Sequence, residues 1–191
     1  MTESKLSKID WIKAGFRALC NGGVGAIRIE PIARQIGTTK GSFYWHFKDL
    51  AALKIAMLEF YTQKGTQDII DTANMRTTPN EALMFVVKSA LNPPEDDVGS
   101  VMAEAAIREW ARFDDYARQN INKIDEMRTN FLHQNIIELG YENAEAKARA
   151  QILYSAYIGF IQLRATSSKI KNGLLIAFAK SIINEAPKIS L

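Results

Sequence analysis

From Gly37 to Phe47 the chain reads Gly-Thr-Thr-Lys-Gly-Ser-Phe-Tyr-Trp-His-Phe, and the residue types and spacing suit close approach to a polyanion. Thr38 and Thr39 supply an N-cap for a short helix. Thr39, Lys40, Gly41 and Ser42 then lead it with hydroxyl, cationic and side-chain-free groups, so that its positive end can approach phosphates and base edges. Tyr44, Trp45 and His46 come next with donor-bearing aromatics. Phe43 and Phe47 stand at i, i+4 on the opposite face, the spacing of a core pair.

Elsewhere, groups that do chemistry are sparse. No paired carboxylates, Ser/His/Asp set, glycine-rich phosphate loop or metal-ligand spacing is recognisable, so no catalytic residue, metal or cofactor is expected. Only two histidines exist; His46 lies between Tyr44 and Phe47 in the polyanion-facing segment, and His133, with no thiolate near it, reads as a surface or core residue. The single cysteine, Cys20, excludes an intramolecular disulfide and a multi-thiolate zinc site, and on an apolar helix face it reads as core filler. Glu104 and Glu109 interrupt a mostly apolar helix; either one facing inward would favour a cationic or hydrogen-bonding ligand, but a solvated face is the simpler expectation.

The elements that position these residues are helical. A chain of 191 residues with 47% hydrophobic content can bury a core, and its periodicity predicts an all-α fold of about nine helices. A first helix is expected over about Lys5 to Cys20, with Leu6, Ile9, Ile12, Phe16 and Leu19 on one face and Asn21-Gly22-Gly23 ending it. Gly15 inside it costs roughly 1 kcal/mol relative to Ala, which packing must offset. A short helix over Ile29 to Ile36 tolerates Pro31 in its first turn and closes at Gly37. A long helix is predicted from Asp49 to about Ala73. Thr78-Pro79 opens another through Leu91, and Asn92 to Asp97 forms the clearest loop. Further helices read as Val98 to Arg112, Asp114 to Leu139, Ala144 to Thr166 and Ile170 to Glu185.

Charge is unevenly placed. Residues 1–50 hold eight Lys and Arg against four Asp and Glu, and the remainder holds 16 against 17, so the net +3 resides in the first quarter. One small module facing a polyanion has this pattern, and so does a solvated basic face. No stretch approaches the roughly 18 unbroken apolar residues of a membrane span, and Asp10 and Lys13 interrupt any leader-like run. A cytoplasmic location is expected.

Two short helices joined by a glycine turn within about twenty residues form the helix-turn-helix layout, whose second helix enters the major groove by its N-terminal residues. At this point Ile32-Ala33, Gly37, Lys40-Gly41, Phe43-Tyr44 and His46-Phe47 resemble the signature of TetR-family transcriptional regulators. The resemblance implies an N-terminal DNA-binding domain over 1–48 and a helical effector-binding and dimerisation domain over 49–191. By position it makes Thr39, Lys40, Gly41, Ser42 and Trp45 base or close backbone contacts and Tyr44 and His46 phosphate clamps, with Lys48 as a further phosphate contact. Tyr44 and His46 packing between helices is the alternative. Two positions depart from the pattern, since Arg28 replaces a capping Thr before the second helix and Leu50 replaces a phosphate-binding Lys at the fourth. Arg28 is suited to a phosphate or a guanine edge.

The last two helices are apolar on more than one face. Ala148, Ile152, Ala156, Gly159 and Leu163 make one stripe, Leu153, Tyr157 and Ile161 another, and Ile170, Leu174, Phe178 and Ile182 a matching ridge. On sequence alone this is either intrachain core or an isologous two-fold interface; the resemblance implies the interface, hence a homodimer on a pseudo-palindromic operator. It also implies a small-molecule effector among the middle helices, with Phe60, Tyr61, Phe85, Met102, Trp110, Phe131, Tyr154 and Tyr157 as candidate contacts. The resulting reading is a dimeric repressor of double-stranded DNA released by an effector. Control by a partner protein, or an all-α enzyme or carrier, are the alternatives.

Overall fold

The computed structural model describes residues 6–91, 101–166 and 171–184. Among them the regular structure is helical throughout, as the periodicity predicts. Helix α1 (Lys8–Gly22) starts later than expected, behind Ser7. The Ser7 hydroxyl accepts from the Asp10 N–H, and the Asp10 carboxylate accepts from the Ser7 N–H and hydroxyl at 2.7 Å each, a capping box. Of the expected apolar face Ile12, Phe16 and Leu19 are buried and Leu6 is half-buried, whereas Ile9 is exposed and Trp11 is buried beside them.

A short 3-10 turn (Val24–Ala26) leads to α2 (Ile29–Gln35), and Gly37, at φ 68°, makes the left-handed turn that a side chain would strain. Thr39 caps α3 (Lys40–Tyr44), its hydroxyl accepting from the Ser42 N–H at 3.3 Å. Asp49 does the same for α4 (Leu50–Thr62) through the Ala52 N–H at 2.8 Å. The long helix expected from Asp49 to Ala73 contains a π turn (Gln63–Gln67) before continuing as α5 (Asp68–Asn74). Then come α6 (Pro79–Leu91), α7 (Val101–Ala111), α8 (Asp115–Glu138), α9 (Asn143–Thr166) and α10 (Asn172–Asn184). The expected Asn92 to Asp97 loop, the ends at Lys5, Val98 and Glu185, and Ile170 lie outside the described residues.

The chain divides into two compact units, one drawn from Met1–Gly65 and Pro94–Ile121, the other from Thr66–Pro93 and Asn122–Leu191. In the first, α1 packs on α4 and on α7. Trp11, Phe16, Phe43, Leu53, Met57 and Ile107 are among its largest buried side chains. Gly15 explains itself here, because a Cβ at that position would stand 2.6 Å from the buried Met57 sulfur. The close approach of α1 to α4 offsets the helix propensity that glycine forgoes. In the second unit α6 and α9 pack on α10, and Tyr141 and Arg149 both donate to the Ile182 carbonyl, at 3.2 and 3.0 Å.

Candidate nucleic-acid interface

The spacing of α3 sorts its side chains into two groups. Phe43 and Phe47 are buried and stack at 5.5 Å between centroids, and Trp11 meets Phe43 edge-on at 5.2 Å. These contacts fix the rotation of α3 about its axis. On the other side Trp45 is 89% exposed, and Tyr44, its ring edge-on to Phe43, is exposed too. A solvent-exposed Trp is costly to keep without a task, since burying such a ring is worth a few kcal/mol.

The remaining predicted residues cluster around this edge. Thr39, Lys40, Gly41, Lys48 and Arg28 are exposed, and Thr38, Ser42 and His46 are half-buried. Arg28, the N-cap residue of α2, gives that helix no side-chain cap; its guanidinium Nε donates instead to the Gly25 carbonyl at 3.2 Å. Leu50 is half-buried in the first turn of α4.

Two features escaped sequence reasoning. Lys8 holds its ammonium 5.3 Å from the Phe47 ring centroid, a cation–π contact. Lys40 is not a bare cation at the head of α3, because its ammonium donates to the Glu30 carboxylate at 2.7 Å. The hydrogen bond with Lys40 holds the Glu30 carboxyl below its ordinary pKa and raises that of Lys40. The two residues stand ten apart, across the turn, so no helical spacing announced the pair.

The candidate effector residues are dispersed. Phe60, Tyr61, Met102 and Trp110 belong to the first unit, and Phe85, Phe131, Tyr154 and Tyr157 to the second. Tyr61 and Trp110 are buried, Phe60 is half-buried and Met102 exposed. Tyr61 donates to Glu104 at 2.6 Å, and Glu104, expected on a solvated face, is 2% exposed and bound by Arg108 at 2.9 Å. Glu109 is the solvated one. Tyr154 donates to Asp125 at 2.6 Å and lies 6.0 Å from the Tyr157 ring. Arg76 covers Phe85 at 4.3 Å. A cavity of about 510 Å³ in the second unit is walled by Gln67, Asn74, Met127, Asn130, Phe131 and Gln134 among others. Of the predicted aromatics, only Phe131 lines it.

On α9 and α10 the apolar stripes separate by exposure. Ala148, Ile152, Gly159 and Leu163 are exposed and Ala156 half-buried, while Leu153 and Ile161 are buried. Leu174, at 66% exposure, and Phe178 are open as well, but Ile182 is 8% exposed and belongs to the core of its own unit. His133 faces Asn143 at 3.0 Å, and Cys20 is half-buried.

A capped short helix set across a glycine turn, with its apolar pair inward and its polar aromatics outward, defines a helix-turn-helix protein. Residues 12–57 match the family model of bacterial regulatory proteins of the tetR family. YerO of Bacillus subtilis, an uncharacterised HTH-type transcriptional regulator, is 40% identical over 50 residues, a match spanning 26% of this chain and 17% of that protein. A TetR transcriptional regulator from Legionella pneumophila has the same fold, with a TM-score of 0.75 and 16% identity over 98% of this chain and 100% of that one. So does a candidate transcriptional regulator from Saccharomonospora viridis in complex with choline, with a TM-score of 0.76 and 14% identity over 93% and 95%. Residues 12–57 are thus a DNA-binding segment of the tetR-family type, and the chain as a whole shares the fold of these regulators.

Proposed function

We propose that this protein is a dimeric DNA-binding transcriptional regulator, a repressor that a small-molecule effector releases from a pseudo-palindromic operator. The observation that carries the reading is the edge of α3, where Trp45 and Tyr44 stand in solvent while Phe43 and Phe47 anchor the helix from behind. In this reading Thr39 to Ser42 and Trp45 meet base edges, and Tyr44, His46, Lys48 and Arg28 hold phosphates. The division at about residue 48 is functional: the N-terminal part binds DNA, and the C-terminal part carries the effector and dimer surfaces.

Dimerisation is supported by the exposed apolar face of α9 and α10, where Ile152, Leu163, Leu174 and Phe178 stand open in the single chain. Two such modules would present two reading helices to half-sites roughly 34–36 Å apart, or a multiple of that. Effector control is supported by the fold shared with the choline-bound protein. Operator-bound and effector-bound forms must then oppose each other reciprocally.

The test is selection of bound duplexes from a random pool, followed by a ligand screen against the recovered site. An inverted repeat that a screened compound displaces supports the reading. A flat affinity across duplexes, or a salt-independent one, overturns it, because neutralised phosphates make binding fall steeply with salt.

A further inference from the structure

We propose that Glu30 is a specificity-determining residue of the DNA-reading face, pairing with Lys40 so that the two together accept a G·C base pair and reject bare phosphate. The inference rests on the DNA-binding reading of α3.

The placement of the acids carries the first step. Among the described residues of 6–50 the carboxylates are Asp10, Glu30 and Asp49. Asp10 completes the capping box of α1, and Asp49 caps α4. Both carboxylates are occupied with backbone N–H groups that a helix start leaves unpaired. Glu30 reaches instead from the first turn of α2 to the first residue of α3, tying the two helices of the motif by a side-chain contact of 2.7 Å. Both side chains remain more than half exposed. A carboxylate on a surface that must approach phosphates is unfavourable for affinity alone.

Its chemistry fits discrimination. A paired ammonium and carboxylate present a donor beside an acceptor with no net charge. Against a phosphate, the attraction of Lys40 is offset by repulsion of Glu30, and freeing Lys40 means breaking their contact. Against the major-groove edge of G·C, both partners are satisfied. Guanine O6 and N7 accept from a lysine, and the cytosine N4 amino group donates to a glutamate. The pair therefore weakens every non-specific contact and keeps one specific one, discrimination by an added repulsive element.

The experiment uses the full chain and compares wild type with Glu30→Gln and Glu30→Asp, on the selected duplex, on single-base-pair variants of it and on random duplex, over a salt series. Thermal melting of each variant confirms the fold. Glu30→Gln should tighten random-duplex binding by roughly two- to fivefold per subunit, the range an exposed ion pair spans. It should steepen the random-duplex salt slope by about 0.9 per subunit, one phosphate more, and flatten the preference at one G·C pair. Glu30→Asp retains the charge but shortens the reach, so it should lose the G·C preference without the tighter random binding. An unchanged ratio of selected to random affinity in Glu30→Gln overturns the proposal, as does a preference lost at an A·T pair instead. A wild-type chain that selects no duplex overturns the DNA-binding reading and this one with it.

Discussion

The Tyr61 hydroxyl donates to the Glu104 carboxylate at 2.6 Å inside the first unit, and Arg108 holds the other carboxylate oxygen at 2.9 Å. The contact joins α4 to α7, the same two helices that pack on α1. A carboxylate buried this fully persists only because both oxygens are bonded.

Removing one partner should expose that dependence. Glu104→Ala should destabilise the fold by about 3 kcal/mol, the low end for a broken buried pair, because Arg108 retains some solvent access. Tyr61→Phe should cost about 1–3 kcal/mol, the desolvation left by a lost donor. Urea denaturation checks both, and a Tyr61→Phe loss that persists undiminished in the Glu104→Ala background would contradict the pairing.

Gly15→Ala adds a methyl where the Met57 sulfur already sits. Overpacking of a buried site costs about 1–3 kcal/mol, of which the better helix propensity of Ala returns roughly 1. A net loss of stability is expected, relieved when Met57→Ala is combined with it. A Gly15→Ala chain that melts above wild type would show that Met57 has room to move.

On DNA, Tyr44→Ala and His46→Ala should weaken binding to all duplexes almost uniformly, whereas Trp45→Ala should change base preference. Trp45 is so exposed that its truncation should leave stability within about 0.5 kcal/mol. Competition binding on a panel of duplexes separates the two behaviours. Equal losses on specific and random DNA for all three variants would refute the division.

Acid should loosen two helix starts. The Ser7 N–H and hydroxyl lower the pKa of Asp10, and the Ala117 N–H, bonded at 2.9 Å, lowers that of Asp114. A carboxyl with a depressed folded pKa binds its proton more readily in the unfolded chain, so its contribution is complete above the ordinary value of 3.8 and drains away as pH falls through the folded one. Stability should therefore fall as pH drops below the ordinary carboxyl value of 3.8. Asp10→Asn or Asp114→Asn should shallow that fall, and a slope unchanged in both would locate the acid lability elsewhere.

Several features were legible in the sequence because they are local. The i, i+4 spacing of Phe43 and Phe47, the glycine turn at Gly37, the Thr39 cap and the helical periodicity depend on neighbours within a turn or two, and the backbone obeys those whatever surrounds them. Contacts that depend on which helix lies opposite were decided only by the tertiary structure. Trp11 joins Ile12, Phe16 and Leu19 inside because α1 is packed by both α4 and α7, which widens its buried face beyond the single apolar row and leaves Ile9 outside. Gly15 reads as a flaw until Met57 is set against it. Glu104 reads as a solvated charge until Tyr61, 43 residues earlier, and Arg108 supply its partners. Glu30 and Lys40 meet only because the turn at Gly37 brings α2 and α3 together. Local chemistry determined which segments are helices and which of them could read DNA; the long-range contacts decided which side chains are left to do it.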